Sequence, residues 1–233
     1  MNAEARRRIE MGARVLKFNG AHPDTDAGYA VTTARLEELM RQADVAAAAQ
    51  RDGLTEVRAA SARKESLRRT ILGVPVAHLA EVGRAAARED HELGTAFRFK
   101  PGNKSFQAFR VAARGMQLEA ETRKEVLAKH GLSESVLVQL GRMLDEFDAA
   151  VALGIEGRTK HMGATAQLRL LAVEVARAVR VMDARNRQRF EEDGQALGSW
   201  LSASAVLGTP RGPVPIPAPE GGTPSEGEVR PAA

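Results

Sequence analysis

Residues 137–186 read LVQLGRMLDEFDAAVALGIEGRTKHMGATAQLRLLAVEVARAVRVMDARN, and one set of positions recurs along them in alternating steps of three and four. This spacing places a narrow stripe along one side of a helix, as the a and d positions of a heptad repeat do. A helix with so long a stripe is expected to pack against other helices. The stripe consists of Leu137, Leu140, Leu144, Phe147, Val151, Gly154, Arg158, His161, Thr165, Leu168, Ala172, Val175, Val179, Met182 and Asn186.

The composition indicates an all-α fold. Of the 233 residues 43% are hydrophobic but only 4% are aromatic, and cysteine is absent. Strands are enriched in β-branched and aromatic residues, so a core of Ala, Leu, Val and Met favours helices. We predict an elongated antiparallel helical bundle, similar to a four-helix bundle, over residues 1–207. Seven of the ten prolines follow residue 207, and residues 208–233 are predicted to be a disordered tail.

Turn and capping residues predict the helix boundaries. The first helix is expected over about residues 3–18, and the second continues to residue 72. Gly73-Val74-Pro75 predicts a break before a helix from Pro75 to Glu92, because proline disfavours helical angles at the preceding residue. Gly131 is expected to end a further helix in a left-handed conformation. Ser133 is expected to cap the last helix, which forms an antiparallel hairpin with the one before it.

The last predicted helix, over about residues 134–187, contains Gly154, Gly157 and Gly163 close together. Two interpretations compete for this stretch. The glycines lie in a loop between two helices, or they lie in one continuous helix and let a neighbouring backbone come close. The spacing of three and four is kept across the glycines, which a loop has no reason to preserve. The continuous helix is therefore favoured.

The charge and hydropathy suggest a cytoplasmic protein. The net charge is +4, with 34 basic and 30 acidic residues, which is only a mild basic excess. Charged residues from Glu4 to Arg8 occupy the place where a signal peptide needs an apolar run, and no stretch approaches the length of a membrane span. We expect no membrane association.

Catalytic motifs are not recognisable in the sequence. None of the five histidines stands three residues after a glutamate, as a carboxylate-bridged metal site in a helical bundle requires. Gly102-Asn103-Lys104-Ser105 lacks the glycine that precedes the lysine of a phosphate-binding loop. We therefore predict no catalytic residue, no metal site and no cofactor.

Two basic segments are candidate contact surfaces for a partner or for nucleic acid. In the first, phenylalanines alternate with cations, as in proteins that stack bases and hold phosphates. In the second, arginines gather near the end of the last helix. A structural role explains both as well, because the rings can fill the core and the arginines complement the helix dipole. The candidate residues are Phe97, Arg98, Phe99, Lys100, Lys104, Arg110, Arg177, Arg180, Arg185, Arg187 and Arg189.

Several short pieces of the chain resemble a group of uncharacterised all-helical bacterial proteins. The pieces are Phe147-Asp148-Ala149-Ala150, Gly157-Arg158, His161-Met162-Gly163-Ala164 and Asn186-Arg187-Gln188-Arg189-Phe190, ahead of Trp200. The resemblance covers residues 1–210. It implies an all-helical fold but no activity, so it assigns no site residue.

The sequence therefore predicts a non-enzymatic scaffold that binds a protein partner or associates with itself. Nucleic-acid association through the two basic segments is the first alternative. The second is a bundle that holds a small ligand or a metal ion between Gly154 and Thr165, where His161 lies on the stripe. Asn186, at the end of the stripe, either fixes the register or the oligomeric state, as a buried polar residue does in coiled coils, or marks where the stripe leaves the core.

Overall fold

A computed structural model of the chain describes residues 3–89, 91–99 and 105–207. Every regular element in these ranges is helical, which confirms the all-α prediction. A π-helical turn, Leu72–Val76, joins the second and third helices. The α-helices are α1 (Ala3–Ala21), α2 (Ala27–Ile71), α3 (Ala77–Ala86), α4 (His91–Ala96), α5 (Phe106–Thr122), α6 (Lys124–Lys129), α7 (Glu134–Arg189) and α8 (Gly194–Ser204).

The two long helices α2 and α7 form the centre of the fold. At ~1.5 Å per residue they are about 68 Å and 84 Å long. Their contacts run in opposite directions along the two chains, since Gln50 bonds to Thr165 whereas Arg63 pairs with Glu146. The two helices are therefore antiparallel.

A first hydrophobic core lies where α1 and α8 pack against one end of the α2–α7 pair. Trp200 of α8 is fully buried, and its indole ring lies edge-on to Phe18 of α1 at 5.3 Å. The indole Nε1 donates a hydrogen bond to Asp183 of α7 over 2.8 Å. Burial of this large ring, with its polar atom satisfied, anchors α8 on α1 and α7.

A second core lies at the other end of the pair, where α3, α4, α5 and α6 pack on α2 and α7. Phe97 is buried against Gly83 of α3. A side chain at position 83 would collide with Phe97. Phe109 is buried against Phe147 of α7, with the ring centroids 5.5 Å apart. The two cores share no residue and are joined by α2 and α7.

Helix α2 ends at Ile71, next to the predicted break at Gly73-Val74-Pro75, but the chain stays helical there. The chain passes through a π-helical turn and continues directly into α3. Proline lacks the amide hydrogen of an α-helical bond and clashes with the preceding turn, and a π-turn is one of the local adjustments that accommodates it. The helix that was expected to reach Glu92 ends earlier, at Ala86.

The helix expected to end at His130 is divided into α5 and α6 at Arg123. Gly131 has a φ of 97°, which confirms the left-handed conformation predicted for it. Ser133 is the N-cap residue of α7, but its hydroxyl lies 2.7 Å from that of Ser135 and makes no capping bond.

Helix α7 is continuous through all three glycines, as favoured from the sequence. The buried stripe deviates from prediction in the middle, where Gly157 is buried and Arg158 is exposed. The α2 backbone lies so close to the Gly157 side of α7 that an arginine side chain does not fit between the two helices. At the end of the stripe Asn186 is fully buried. The predicted disordered tail, residues 208–233, lies outside the described residues.

Candidate functional site

The rings of the first predicted segment lie in the second core. Phe97 and Phe109 are buried, and Phe99 and Phe106 pack against the same cluster. Lys64 lies over the ring of Phe106, with 4.9 Å from Nζ to the centroid. The aromatic faces are therefore occupied within the chain and are not presented together to solvent.

The cations of the first predicted segment differ in their pairing and exposure. Arg110 is paired with Asp148 of α7, with 2.6 Å between Nε and Oδ1. Arg98 is exposed. Lys100 and Lys104 lie outside the described residues. Arg110 therefore helps to hold α5 on α7 through its ion pair, whereas Arg98 is exposed to solvent.

The predicted arginines near the end of α7 are mostly bound to acidic groups of the chain. Arg185 Nε lies 3.3 Å from Asp24 Oδ2, and Arg189 Nη1 lies 3.6 Å from the same atom. Arg189 also donates to the carbonyl oxygens of His22 and Pro23. These contacts fasten the connection between α1 and α2 to the end of α7.

The remaining arginines of this group lie on the outer side of α7. Arg177 pairs with Glu174 and Arg187 pairs with Asp183, each within one turn of the helix. Arg180 is exposed. Exposed pairs within a helix contribute only about 0.3–0.5 kcal/mol. The group therefore does not form a continuous patch of accessible positive charge.

Asp24 is the acidic centre of these contacts, and its side chain is only 6% exposed. The backbone amide of Asp26 donates to its carboxylate over 3.0 Å. This hydrogen bond, together with the Arg185 guanidinium, lowers the pKa of Asp24. Asp24 therefore stays ionised and holds both arginines in place.

Between the two cores α2 and α7 pack directly on each other. A Cβ atom on Gly53 would lie 2.6 Å from the carbonyl oxygen of Gly157, and one on Gly157 would lie 2.9 Å from that of Gly53. Neither position has room for a side chain. We call this section the neck and define it as residues 50–61 of α2 and 151–163 of α7.

The polar contacts of the neck lie on its two flanks. On one flank the side-chain amide of Gln50 donates to the Thr165 hydroxyl over 2.6 Å, and the backbone carbonyl oxygen of Gln50 lies 3.0 Å from His161 Nδ1. On the other flank Lys160 Nζ bonds to Glu56 Oε1 over 2.8 Å. The ion pair with Glu56 raises the pKa of Lys160. The backbone and side-chain contacts hold the helices in a fixed register.

One flank of α2 is covered at its ends and open at the neck. Helix α1 packs on Leu36 and Met40, which approach Gly12 of α1. Further along, Lys64 and Arg68 lie over rings of α5. Steps of three and four connect these positions through 43, 47, 50, 54, 57 and 61, so all lie on the same flank.

The facing flank of α7 repeats this arrangement. Asp148 is paired with Arg110 and Arg114 of α5. Towards the other end, Ala176 packs against the first core beside α1. The same spacing connects Asp148 to position 176 through 151, 155, 158, 162, 165, 169 and 172. The flanks of α2 and α7 therefore form one face, which α5 covers at one end and α1 at the other.

The open part of this face is apolar at its centre. Ile155 and Met162 are 63% and 64% exposed, and Leu54 is 38% exposed. No described residue packs over them. We call this surface the saddle; it consists of Gln50, Leu54, Val57, Ser61, Val151, Ile155, Arg158 and Met162.

The saddle was not among the surfaces predicted from the sequence, which were the buried stripe of α7 and the two basic segments. A signal was present, because positions 148, 151, 155, 158 and 162 also follow steps of three and four. What the sequence does not give is the length of α1 and α5. Only the structure places their ends on either side of the neck.

Among the described residues no three histidine, aspartate or glutamate side chains come together as metal ligands. Around Gly154 and Gly157, in the stretch predicted as an alternative ligand or metal site, the α2 helix fills the space. No helix in the described ranges is both long and apolar enough to cross a membrane. Comparison with protein-family models, with curated proteins and with solved structures gave no match.

Proposed function

We propose that this chain is a non-enzymatic helical scaffold that works by association with other copies of itself. The observation that carries the proposal is the saddle. Large apolar side chains on a helix face normally pack against a neighbour, and a contiguous apolar surface on a soluble protein marks an interaction site. In the saddle Ile155 and Met162 are well exposed although the same face is covered at both ends.

Association at the neck would also complete the architecture expected from the sequence. Only α2 and α7 of the described helices meet there, whereas each end carries further helices. Two helices from a second copy would give the neck the cross-section of a four-helix bundle. The proposal includes the cytoplasmic location expected from the sequence.

Light scattering coupled to size-exclusion chromatography tests the proposal. The mass of the wild-type chain is expected to rise with concentration above the 25.0 kDa of one copy. Met162→Glu places a charge in the saddle and is expected to shift association to higher concentration. Val181→Glu is the matched control, since Val181 is 63% exposed on the same helix and lies outside the neck. A wild-type mass that stays at one copy throughout the concentration series would overturn the proposal.

Nucleic-acid association is the second candidate, and one observation favours it. Arg158 of the saddle and Arg51 and Arg58 beside it are exposed, and Arg98 and Arg180 of the predicted surfaces are exposed elsewhere. Phosphate contacts make binding fall steeply with salt. Fluorescence anisotropy with a labelled duplex over a salt series tests this candidate. Arg158→Glu is expected to reduce the salt slope, whereas Arg88→Glu, at the other core, is expected to leave it unchanged.

A further inference from the structure

The two faces of the neck carry opposite charge. Around the saddle, Arg51 and Arg58 of α2 and Arg158 of α7 are exposed. The flank of the neck that carries the Glu56–Lys160 pair is acidic. We call it the back face and define it as Asp52, Glu56, Leu153, Glu156 and Lys160.

The members of the back face lie close together. Glu56 is bonded to Lys160, and both Asp52 and Glu156 act electrostatically on the same ammonium group. Three carboxylates therefore surround one cation, which leaves this face net negative. Leu153 lies beside them and is 43% exposed.

The back face is open along the helix pair. Val45 of α2 and Leu170 of α7 follow the same flank beyond the neck, and both are strongly exposed. Helices α1 and α5 lie on the saddle side. Another molecule can therefore approach the back face without meeting them.

The saddle has the right size for another neck. Ala47 of α2 packs against the first core and Lys64 lies over the ring of Phe106, so the stretch of α2 between them, residues 48–63, is about 24 Å long at ~1.5 Å per residue. A pair of packed helices is about 20 Å wide, since one helix with its side chains measures about 10 Å. A second neck that crosses the first thus fits between α1 and α5.

From the proposed self-association, on which this step rests, we infer that the chain assembles front to back: the back face of one copy lies in the saddle of the next. Asp52, Glu56 and Glu156 of one copy then face Arg51, Arg58 and Arg158 of its neighbour. Leu153 of one copy contacts the apolar centre of the neighbour's saddle, which consists of Leu54, Ile155 and Met162. Contact between two saddles is disfavoured, because it would bring the arginines of both copies together.

Front-to-back contact has a consequence for the assembly. The two surfaces in contact are different, so each bound copy still presents one open saddle and one open back face. Such a heterologous interface leads to a ring or a filament and does not close as a dimer. The assembly is therefore expected to grow beyond two copies with concentration.

Two charge-reversal variants test the saddle and the back face independently. Arg58→Glu with Arg158→Glu blocks the saddle, and Asp52→Arg with Glu156→Arg blocks the back face. All four side chains are helix-surface residues and are exposed. Each variant alone is expected to bind itself about a hundredfold more weakly than the wild type, because its pairing brings like charges together.

The mixture of the two variants gives the decisive result. The intact saddle of one variant meets the intact back face of the other, so wild-type affinity is expected to return. The acidic saddle of the first variant is also complementary to the basic back face of the second, so the mixture is expected to grow beyond twice the 25.0 kDa of one chain, as the wild type does. Arg69→Glu with Arg88→Glu, at the second core, is the control and is expected to assemble like the wild type.

Several results would overturn the inference. If the variant blocked at the back face assembles like the wild type, the saddles contact each other. If the wild type assembles but the mixture of blocked variants does not, the neck is not the interface. A wild type that stays monomeric would instead overturn the proposed function itself, so the two failures are distinguishable by light scattering.

Discussion

The side-chain amide of Asn186 donates a hydrogen bond to the phenol oxygen of Tyr29 over 2.9 Å, although both side chains are buried. The Tyr29 hydroxyl in turn donates to the amide oxygen of Asn19 over 2.6 Å. This chain of bonds joins α1, α2 and α7 inside the first core. Buried polar groups of this kind are costly unless paired, so the network favours one register of the three helices over others.

Tyr29→Phe is expected to destabilise the chain by about 2 kcal/mol. The phenyl ring still fills the space, but the amide of Asn186 loses its acceptor and the amide oxygen of Asn19 loses its donor. Urea unfolding followed by circular dichroism measures the change. Val31→Ala is the control, since Val31 is exposed on the same helix and its loss should change the stability by less than about 0.5 kcal/mol.

The same tyrosine is expected to make the stability fall at alkaline pH. Burial raises the pKa of Tyr29 above its ordinary value near 10. The folded chain therefore keeps the phenol proton while the unfolded chain releases it, and the unfolding free energy decreases as the pH rises from 10 towards the folded pKa. Tyr29→Phe should show a shallower decrease over this range in urea titrations. Equal slopes for the two proteins would show that Tyr29 ionises as freely in the fold as in the unfolded chain.

The stability of the fold at acid pH depends on Asp24. Its pKa is lowered by the backbone amide of Asp26 and by Arg185, so its contribution is complete above the unfolded value and is lost as the pH falls through the folded value. Asp24→Asn keeps an acceptor for the Asp26 amide but removes the charge. At pH 6 the variant is expected to be less stable by about 1 kcal/mol, in the range of a partly buried ion pair.

The difference between Asp24→Asn and the wild type should shrink as the pH falls through the lowered pKa of Asp24, where the carboxyl group of the native chain takes up its proton. Asp44→Asn serves as the comparison, because Asp44 is exposed on α2. It should not alter the acid side of the stability curve. A stability gap for Asp24→Asn that persists unchanged at low pH would mean that the charge of Asp24 is not what holds Arg185 and Arg189.

The sequence predicted those features that depend on local spacing. The stripe from Leu137 to Asn186 predicted one long helix, and the left-handed Gly131 followed from its place after a helix. The end of α2 before Pro75 was predicted, but the π-turn that carries the chain on into α3 was not, because proline alone does not tell whether the chain leaves the helix or adjusts within it.

The candidate surfaces were harder to predict for a related reason. Phe97 and Phe109 alternate with cations in the sequence, yet tertiary packing decides that their rings lie in the core. The saddle depends on where α1 and α5 end relative to the neck, which is a relation between distant segments. Periodicity places Ile155 and Met162 on one side of α7, but it does not tell which neighbour covers them.

The close approach of α2 and α7 at the neck predicts opposite effects for two glycines of the same helix. In Gly157→Ala the new Cβ would lie 2.8 Å from Glu56 Cβ and 2.9 Å from the carbonyl oxygen of Gly53, so the helices must separate. Such overpacking is expected to cost about 1–3 kcal/mol. Gly163 has no atom within 4 Å of the same position, and Gly163→Ala should stabilise the chain by up to about 1 kcal/mol through helix propensity. Thermal and urea unfolding of both variants compares them directly. If both substitutions stabilise the chain, the backbones of Gly53 and Gly157 are not in contact and the neck is looser than described.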